Sequence, residues 1–465
     1  MKKYGILLLA VVFLAVLGVV PAAAGPAQGT MHTARNIPIA DDTSHLLGLA
    51  DLNGDGRADV LTVIGSRQLL GILLSNGDGT FRNVPGRSTV GLYKLAPADA
   101  NGDGVIDLVG FSGRMIATLL GRNDGTFSSA ITSEIETLNT GSLPEALDFA
   151  DFNVDGLIDV VVTRLHSEES IVFGRGNGRF GPDSIPLASG SSHFADFNGD
   201  GIPDLVSADE EHHLFVGLGN GDGTFRRGAD LEYGGHVGGD INGDGNLDLV
   251  GIRSVVTGEP LVITVQLGRG DGTFLPLVES VAPGVSYFAS NTVADFDGDG
   301  FGDLLMYSIC GDTEEYVCRM QLIFGSSDGV IERYEPVGGS ENLSVGDVNG
   351  DGLPDTVFFY RLPPESGASL SGLLNATLSI REVQLDRRAP RPFRVRLTGS
   401  NFDPRSQVFI GDRTSQWSPV VFKSDRKLIL KGGAELESLF VAGTPTTIRI
   451  VNPDGRETST IVVTE

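Results

Sequence analysis

The sequence predicts an all-β chain of 465 residues: a seven-bladed β-propeller with metal-binding loops, followed by a small immunoglobulin-like β-sandwich. Three observations predict it. One nine-residue acidic string recurs seven times, about 50 residues apart; a Gly-rich turn string follows most copies; and from about residue 377 the acidic strings stop while alternating apolar segments continue. A period of that length marks one supersecondary unit repeated. The 64 glycines and the scarcity of helix-period segments point to short strands and turns.

Residues 1–24 read as a secretory signal peptide. Met1-Lys2-Lys3 is a short basic start, Gly5 to Val20 is uncharged and apolar, and Ala22-Ala23-Ala24 offers a small-residue cleavage site before Gly25. The alternative is a retained anchor, because the apolar run approaches spanning length. The expected destination is extracellular or periplasmic, by a Sec-type route, with no membrane insertion after cleavage.

The propeller is expected over 25–376, organised by the acidic string DxNxDGxxD. Its first copy offers Asp51, Asn53, Asp55, the carbonyl of Arg57, and Asp59. The second offers Asp99, Asn101, Asp103, Val105 and Asp107; the third Asp151, Asn153, Asp155, Leu157 and Asp159. The fourth has Asp196, Asn198, Asp200, Ile202 and Asp204, and the fifth Asp240, Asn242, Asp244, Asn246 and Asp248. The sixth has Asp295, Asp297, Asp299, Phe301 and Asp303, and the seventh Asp347, Asn349, Asp351, Leu353 and Asp355. Oxygens at offsets 1, 3, 5, 7 and 9 on a curled loop suit calcium, a hard cation that takes about six to eight of them. The offsets echo the start of an EF-hand loop, but no Glu stands at position 12, so Asp at position 9 is expected to supply the bidentate carboxylate. Apolar β-formers such as Val60-Leu61-Thr62-Val63 follow, where an EF-hand needs a helix. The competing reading, an acidic Asx-rich turn, suits a single copy better than seven. Up to seven structural Ca2+ ions are therefore expected.

The turn string appears as LSNGDGTF (Leu74–Phe81), LGRNDGTF (Leu120–Phe127), FGRGNGRF (Phe173–Phe180), LGNGDGTF (Leu218–Phe225), LGRGDGTF (Leu267–Phe274) and FGSSDGVI (Phe324–Ile331). Each unit then reads strand, acidic loop, strand, variable connection, strand, Gly-rich hairpin, strand. Four strands per unit describe a propeller blade, with the hairpin Phe packed between neighbours. A stacked solenoid is the alternative, but no capping repeats are visible. The seventh unit lacks the hairpin, and Gly29-Thr30-Met31 resembles the Gly-Thr-Phe that ends the others. Residues from about Met31 to Ala40 are thus expected to be the outer strand of the seventh blade, closing the ring and removing exposed edges.

Together, DxNxDGxxD and LGxGDGTF resemble the FG-GAP/VCBS repeats of integrin α-subunit propellers and of many secreted bacterial proteins, over about Gly29 to Ala376. Copy three departs at Val154, where most copies have Gly. Related propellers bind glycans or proteins, and some that carry calcium are polysaccharide lyases, so the resemblance implies a binding or adhesion module with a polysaccharide-active lyase or hydrolase as the alternative. A lyase needs a base beside a sugar carbon and a cation to neutralise the uronate, and no such constellation is legible. No catalytic residue is assigned.

Cys310 and Cys318, the only cysteines, flank a connection of the sixth unit. In an exported protein they are expected to form a disulfide, with two free thiols as the alternative. Over 377–465, strands are expected at Phe393–Leu397, Gln407–Ile410, Lys427–Leu430, Thr446–Ile450 and Thr460–Val463. The strings TGSNFDP (Thr398–Pro404) and IVNPDGRETS (Ile450–Ser459) resemble the IPT/TIG immunoglobulin-like fold. The Arg group at Arg387, Arg388, Arg391, Arg394 and Arg396 reads as a solvated face or linker contact.

The formal charge is −26, and 22 of the 60 acidic residues sit in the seven loops, so acidity is largely a count of metal positions. With no basic stripe, nucleic acid and anionic membrane surfaces are poor partners; a glycan or an extracellular protein is expected. Arg269-Gly270-Asp271 and the G-x-S-x-G string from Gly325 to Gly329 both occupy the hairpin slot and are read as turns. Variable connections between second and third strands are where binding is expected. His166, Glu168, Glu169, Glu210, Glu211, His212 and His213, on neighbouring third and fourth units, are the candidate ligand face. Exposed polar turns are the simpler reading of the same residues.

Overall fold

The computed structural model describes residues 31–33, 37–39, 45–64, 68–77, 80–86, 88–136, 142–164, 168–187, 193–209, 211, 213–232, 237–253, 261–282, 290–296, 300–308, 319–329, 334–338, 343–350, 352–361, 368–375, 379–386, 392–400, 405–411, 416–424, 427–441, 444–451 and 457–462. Residues 1–24, where a signal peptide is expected, and Cys310, Cys318, Arg387, Arg388 and Arg391 lie outside them.

The acidic loop and the Gly-rich turn each reverse the chain, so every repeat becomes an antiparallel meander. In the first, strands His45–Ala50, Asp59–Ile64, Leu69–Ser75 and Phe81–Val84 pair in chain order. Five more four-stranded sheets repeat that order over 93–133, 144–186, 193–230, 237–282 and 290–338. The seventh sheet takes Leu343–Gly346, Asp355–Arg361 and Ala368–Asn375 from late in the chain. Two short strands from its start, Met31–Thr33 and Ile37–Ile39, both pair antiparallel with Ala368–Asn375. First strands of successive sheets lie side by side: His45–Ala50 touches Tyr93–Ala98, and Leu343–Gly346 touches His45–Ala50 in turn. Repeated four-stranded sheets arranged this way form a β-propeller.

Packing explains the composition of each strand. Second strands such as Asp59–Ile64 and Asp107–Ser112 are buried nearly end to end, because neighbouring sheets cover both faces, whereas the fourth strand Phe81–Val84 is half solvated. The apolar clusters span junctions between sheets. Leu52, Leu61 and Leu74 of the first repeat pack with Leu108, Leu119 and Phe127 of the second. Phe225 and Phe194 of the fourth repeat meet Phe152 of the third, at ring separations of 6.2 and 5.0 Å.

Beyond the propeller, Ser379–Asp386, Arg394–Ser400, Lys427–Lys431 and Val420–Ser424 form one sheet, and Gln407–Ile410, Thr446–Val451 and Glu457–Val462 a second. Both face a single core containing Val395, Leu397, Val408, Leu430 and Ile448. Three elements here are not foreshadowed by local sequence pattern. Ser379–Asp386 and Val420–Ser424 each carry a register shift that breaks the two-residue alternation. The short helix Gly433–Glu437 buries only Leu436. Of the arginine group, Arg396 pairs with Asp386 at 3.1 Å.

Candidate functional site

In each acidic loop the first aspartate folds the backbone around its own carboxylate. The N–H at position 6 donates to Oδ2 of position 1 in all seven copies, at 2.7–3.0 Å. The curl needs left-handed backbone at positions 4 and 6, as at Gly54 (φ 71°) and Gly56 (φ 80°). In copy three Val154 is driven to φ 57°, a conformation β-branched residues resist.

The ninth-position aspartates are the buried members. Asp59, Asp107, Asp159, Asp204, Asp248, Asp303 and Asp355 are at most 1 % exposed. Oδ2 of each accepts the N–H of loop position 2, at 2.8–3.1 Å. In the first six copies Oδ1 accepts an N–H at the end of the third strand, such as Ser75, Gly121 or Gly174, at 2.7–3.1 Å. Sequence analysis reserves this carboxylate for a bidentate metal bond. The structure makes the same carboxylate a backbone clamp, so any bond to a cation would be made beside these amide hydrogen bonds. Burial pushes Asp59, Asp107, Asp159 and Asp248 up to about 6 against these hydrogen bonds, with the carboxylates at positions 1 and 5 adding to the rise. Asp204 is raised for the same reason.

Position 2 of each loop is a packing position that the donor spacing does not single out. Leu52, Ala100, Phe152, Phe197, Ile241, Phe296 and Val348 are all buried. The signal was present: the position is apolar in every copy.

The donor set is entirely oxygen and fits a hard cation such as calcium. The Arg57 guanidinium pairs with Asp55 in the first copy. Asp297, Asp299 and Asp351 lie outside the described residues.

At the hairpins, Asp124, Asp222 and Asp271 are held below the usual carboxylate range, chiefly by the hydroxyl of the Thr two residues on. Arg269 folds back so that Nη1 donates to the Phe274 carbonyl at 2.8 Å, which turns the Arg-Gly-Asp string into hairpin structure. Ser326 Oγ lies 2.8 Å from Asp328 Oδ1 within a turn, and among the described residues a strand at Tyr334–Gly338, not a helix, comes next, where a nucleophile elbow requires a helix.

The ligand face expected from sequence is only partly brought together. His166, Glu210 and His212 lie outside the described residues, and His236 beside the fifth loop does too. Glu168 and Glu169 begin the strand Glu168–Gly174 and do not extend the connection; Glu169 is 6 % exposed and pairs in register with Thr163. The residues sit there because β-pairing captures the polar end of the segment, turning Glu169 inward. Glu211 and His213 stay exposed at the tip between the second and third strands of the fourth sheet. His193 lies on the innermost strand His193–Ala195, half-buried. No described helix is long and apolar enough to cross a membrane.

Comparison with curated proteins finds no match. A family profile described as FG-GAP-like repeat matches residues 51–110, 99–162, 196–251 and 240–306. Among solved structures, the chain is similar to an Agrocybe aegerita lectin that recognises non-reducing terminal N-acetylglucosamine: 19 % identity, TM-score 0.48, covering 64 % of this chain and 81 % of that one. A lectin from Burkholderia pseudomallei is similar at 12 % identity and TM-score 0.49, covering 73 % and 98 %. BBS1N, from its complex with ARL6DN, is similar at 13 % identity and TM-score 0.47, covering 75 % and 98 %. The chain carries FG-GAP-like repeats, and its four-stranded sheets repeat as a β-propeller.

Proposed function

We propose that this chain is an exported, non-catalytic binding module: a seven-bladed propeller, stiffened by calcium in its acidic loops, that holds a glycan or an extracellular protein on the face carrying the connections between second and third strands. The observation that carries this reading is the division of labour within each repeat. The acidic loops and Gly-rich hairpins are tied to the frame by recurring hydrogen bonds. The connections at the other end vary, from the tight turn between Ser112 and Met115 to the long passage between Ser308 and Arg319. A rigid frame with variable loops is the usual arrangement for recognition.

Calcium is the cation whose chemistry fits these loops, and a divalent ion among three carboxylates would offset their mutual repulsion. At ~0.1 mM affinity and ~1 mM free ion, each loop would gain about 1.4 kcal/mol. The C-terminal pair of sheets is read as an immunoglobulin-like appendage, and export rests on residues 1–24.

The test is retention of residues 25–465 on a panel of immobilised polysaccharides in calcium, with the supernatant assayed for new reducing or unsaturated ends. Retention without new ends is expected. New ends would replace this reading with a polysaccharide-active enzyme, and absence of retention would leave a protein partner as the ligand. Chelation is expected to lower the melting temperature of the propeller transition; identical melting with and without calcium would remove the metal from the proposal.

A further inference from the structure

The connection between Asp204–Ala208 and Leu214–Gly219 in the fourth sheet carries a donor set unlike that of the acidic loops. Asp209 and His213 close it: the Asp209 N–H donates to the His213 carbonyl at 3.0 Å, and the His213 N–H donates to Asp209 Oδ1 at 2.8 Å. This leaves Asp209 Oδ2 facing His213 Nδ1 across 3.6 Å. One donor atom each from Asp209, Glu211 and His213 lies within 4.8 Å of the other two, and no other His, Cys, Asp or Glu group among the described residues meets that spacing.

The spacing can be compared with what an ion needs. Tetrahedral bonds of about 2.0–2.2 Å to nitrogen and oxygen put neighbouring donors about 3.3–3.6 Å apart. Asp209 Oδ2 and His213 Nδ1 already stand at that separation. Glu211, exposed on the same tip, places a carboxylate oxygen within 4.8 Å of both as a third donor.

We propose that Asp209, Glu211 and His213 form a surface site for a borderline divalent transition-metal ion of the zinc class, separate from the calcium loops. An imidazole with two carboxylates is a poor calcium site, since calcium takes oxygen from six to eight positions, and a good one for zinc, nickel or copper. Arg227 acts from the second layer. Its Nη1 lies 3.3 Å from Asp209 Oδ2, while Nη2 holds Asp230 at 2.7 Å and the guanidinium stacks 4.3 Å from the Phe215 ring centroid. The guanidinium therefore keeps two anchors when an ion takes Oδ2. Three protein donors leave a fourth position for water or for an anionic oxygen of a partner. The site stands whether or not the face binds a glycan.

The test titrates zinc into residues 25–465 in excess calcium, by calorimetry, with cobalt(II) as a spectroscopic substitute. One zinc per chain is expected, with the visible absorption of tetrahedral cobalt. His213→Ala, Asp209→Asn and Glu211→Gln should each weaken zinc binding by about 10-fold or more. All three lie on an exposed tip, so an unchanged melting temperature in calcium serves as the folding control. No zinc bound in excess calcium, or wild-type affinity in His213→Ala, would overturn the site. Neither result bears on polysaccharide retention, which is measured without transition metal.

Discussion

The backbone N–H of Gly223 donates to the carbonyl of Phe152, 3.0 Å away across the junction of the third and fourth sheets. The same link joins Gly125 to Leu52 and Gly272 to Phe197, each at 3.1 Å. The receiving residue is always loop position 2, whose own N–H is held by the buried ninth aspartate, as Phe152 is by Asp159 at 2.9 Å. The first, third and fourth acidic loops are thereby tied to their own sheet on one side and to the next sheet on the other.

Gly223 has φ 81°, and a Cβ there would meet Phe173 at 2.8 Å and Ile185 at 2.9 Å. Gly223→Ala combines left-handed strain with overpacking, each costing about 1–3 kcal/mol. A clear fall in the urea midpoint is expected, and a wild-type midpoint would mean the junction yields without cost.

Asp159→Ala removes the acceptor for the buried N–H groups of Phe152 and Gly174. Each orphaned donor costs about 1–3 kcal/mol. Asp159→Asn keeps one acceptor oxygen and should cost less. The ordering wild type, Asn, Ala in denaturant midpoint, measured in chelator to exclude any metal effect, checks the clamp.

Val154→Gly should stabilise the protein. It relieves a left-handed β-branched residue, worth about 1–2 kcal/mol, against about 0.5–1 kcal/mol of added chain entropy. The side chain is 55 % exposed, so little burial is lost. A melting temperature below wild type would show that Val154 contributes packing that outweighs its backbone.

Asp148 lies on the innermost strand Pro144–Ala150, where burial pushes its carboxyl up to about 6 and the Phe149 N–H is its hydrogen-bond donor. A folded-state value above the unfolded one means the native chain holds a proton that the unfolded chain releases. This group therefore costs stability as pH rises from about 4 to about 6, and the cost persists above that range. Asp148→Asn should raise the melting temperature at pH 7 and leave it nearly unchanged near pH 4. An equal shift at both pH values would mean the effect is not one of charge.

The repeat, the strand order within each sheet and the curl of the acidic loops were legible because they depend on spacing. Asp at 1, 5 and 9 and Gly at 4 and 6 encode a local curl that needs no partner from elsewhere. The share of Met31–Thr33 and Ile37–Ile39 in the last sheet was legible for a related reason: the seventh repeat lacks a strand that the N-terminal segment resembles. Ser379–Asp386 and Val420–Ser424 were not legible, since a bulge shifts the alternation that would reveal them.

The sequence by itself determined the repeated unit and the oxygen chemistry of its loops, since both follow from residue types at fixed short offsets. Tertiary structure alone decided which of these carboxylates also hold the frame. Asp59 and Asp159 read from spacing as members of a ligand string, and the ends of the third strands bring the Ser75 and Gly174 amides against them as well. Glu169 looks like a loop residue until pairing with Thr163 turns it inward. Asp209 and His213 become a pair of donors only when the hairpin closes between them. Long-range amide partners and strand register set those outcomes, and neither is written in local spacing.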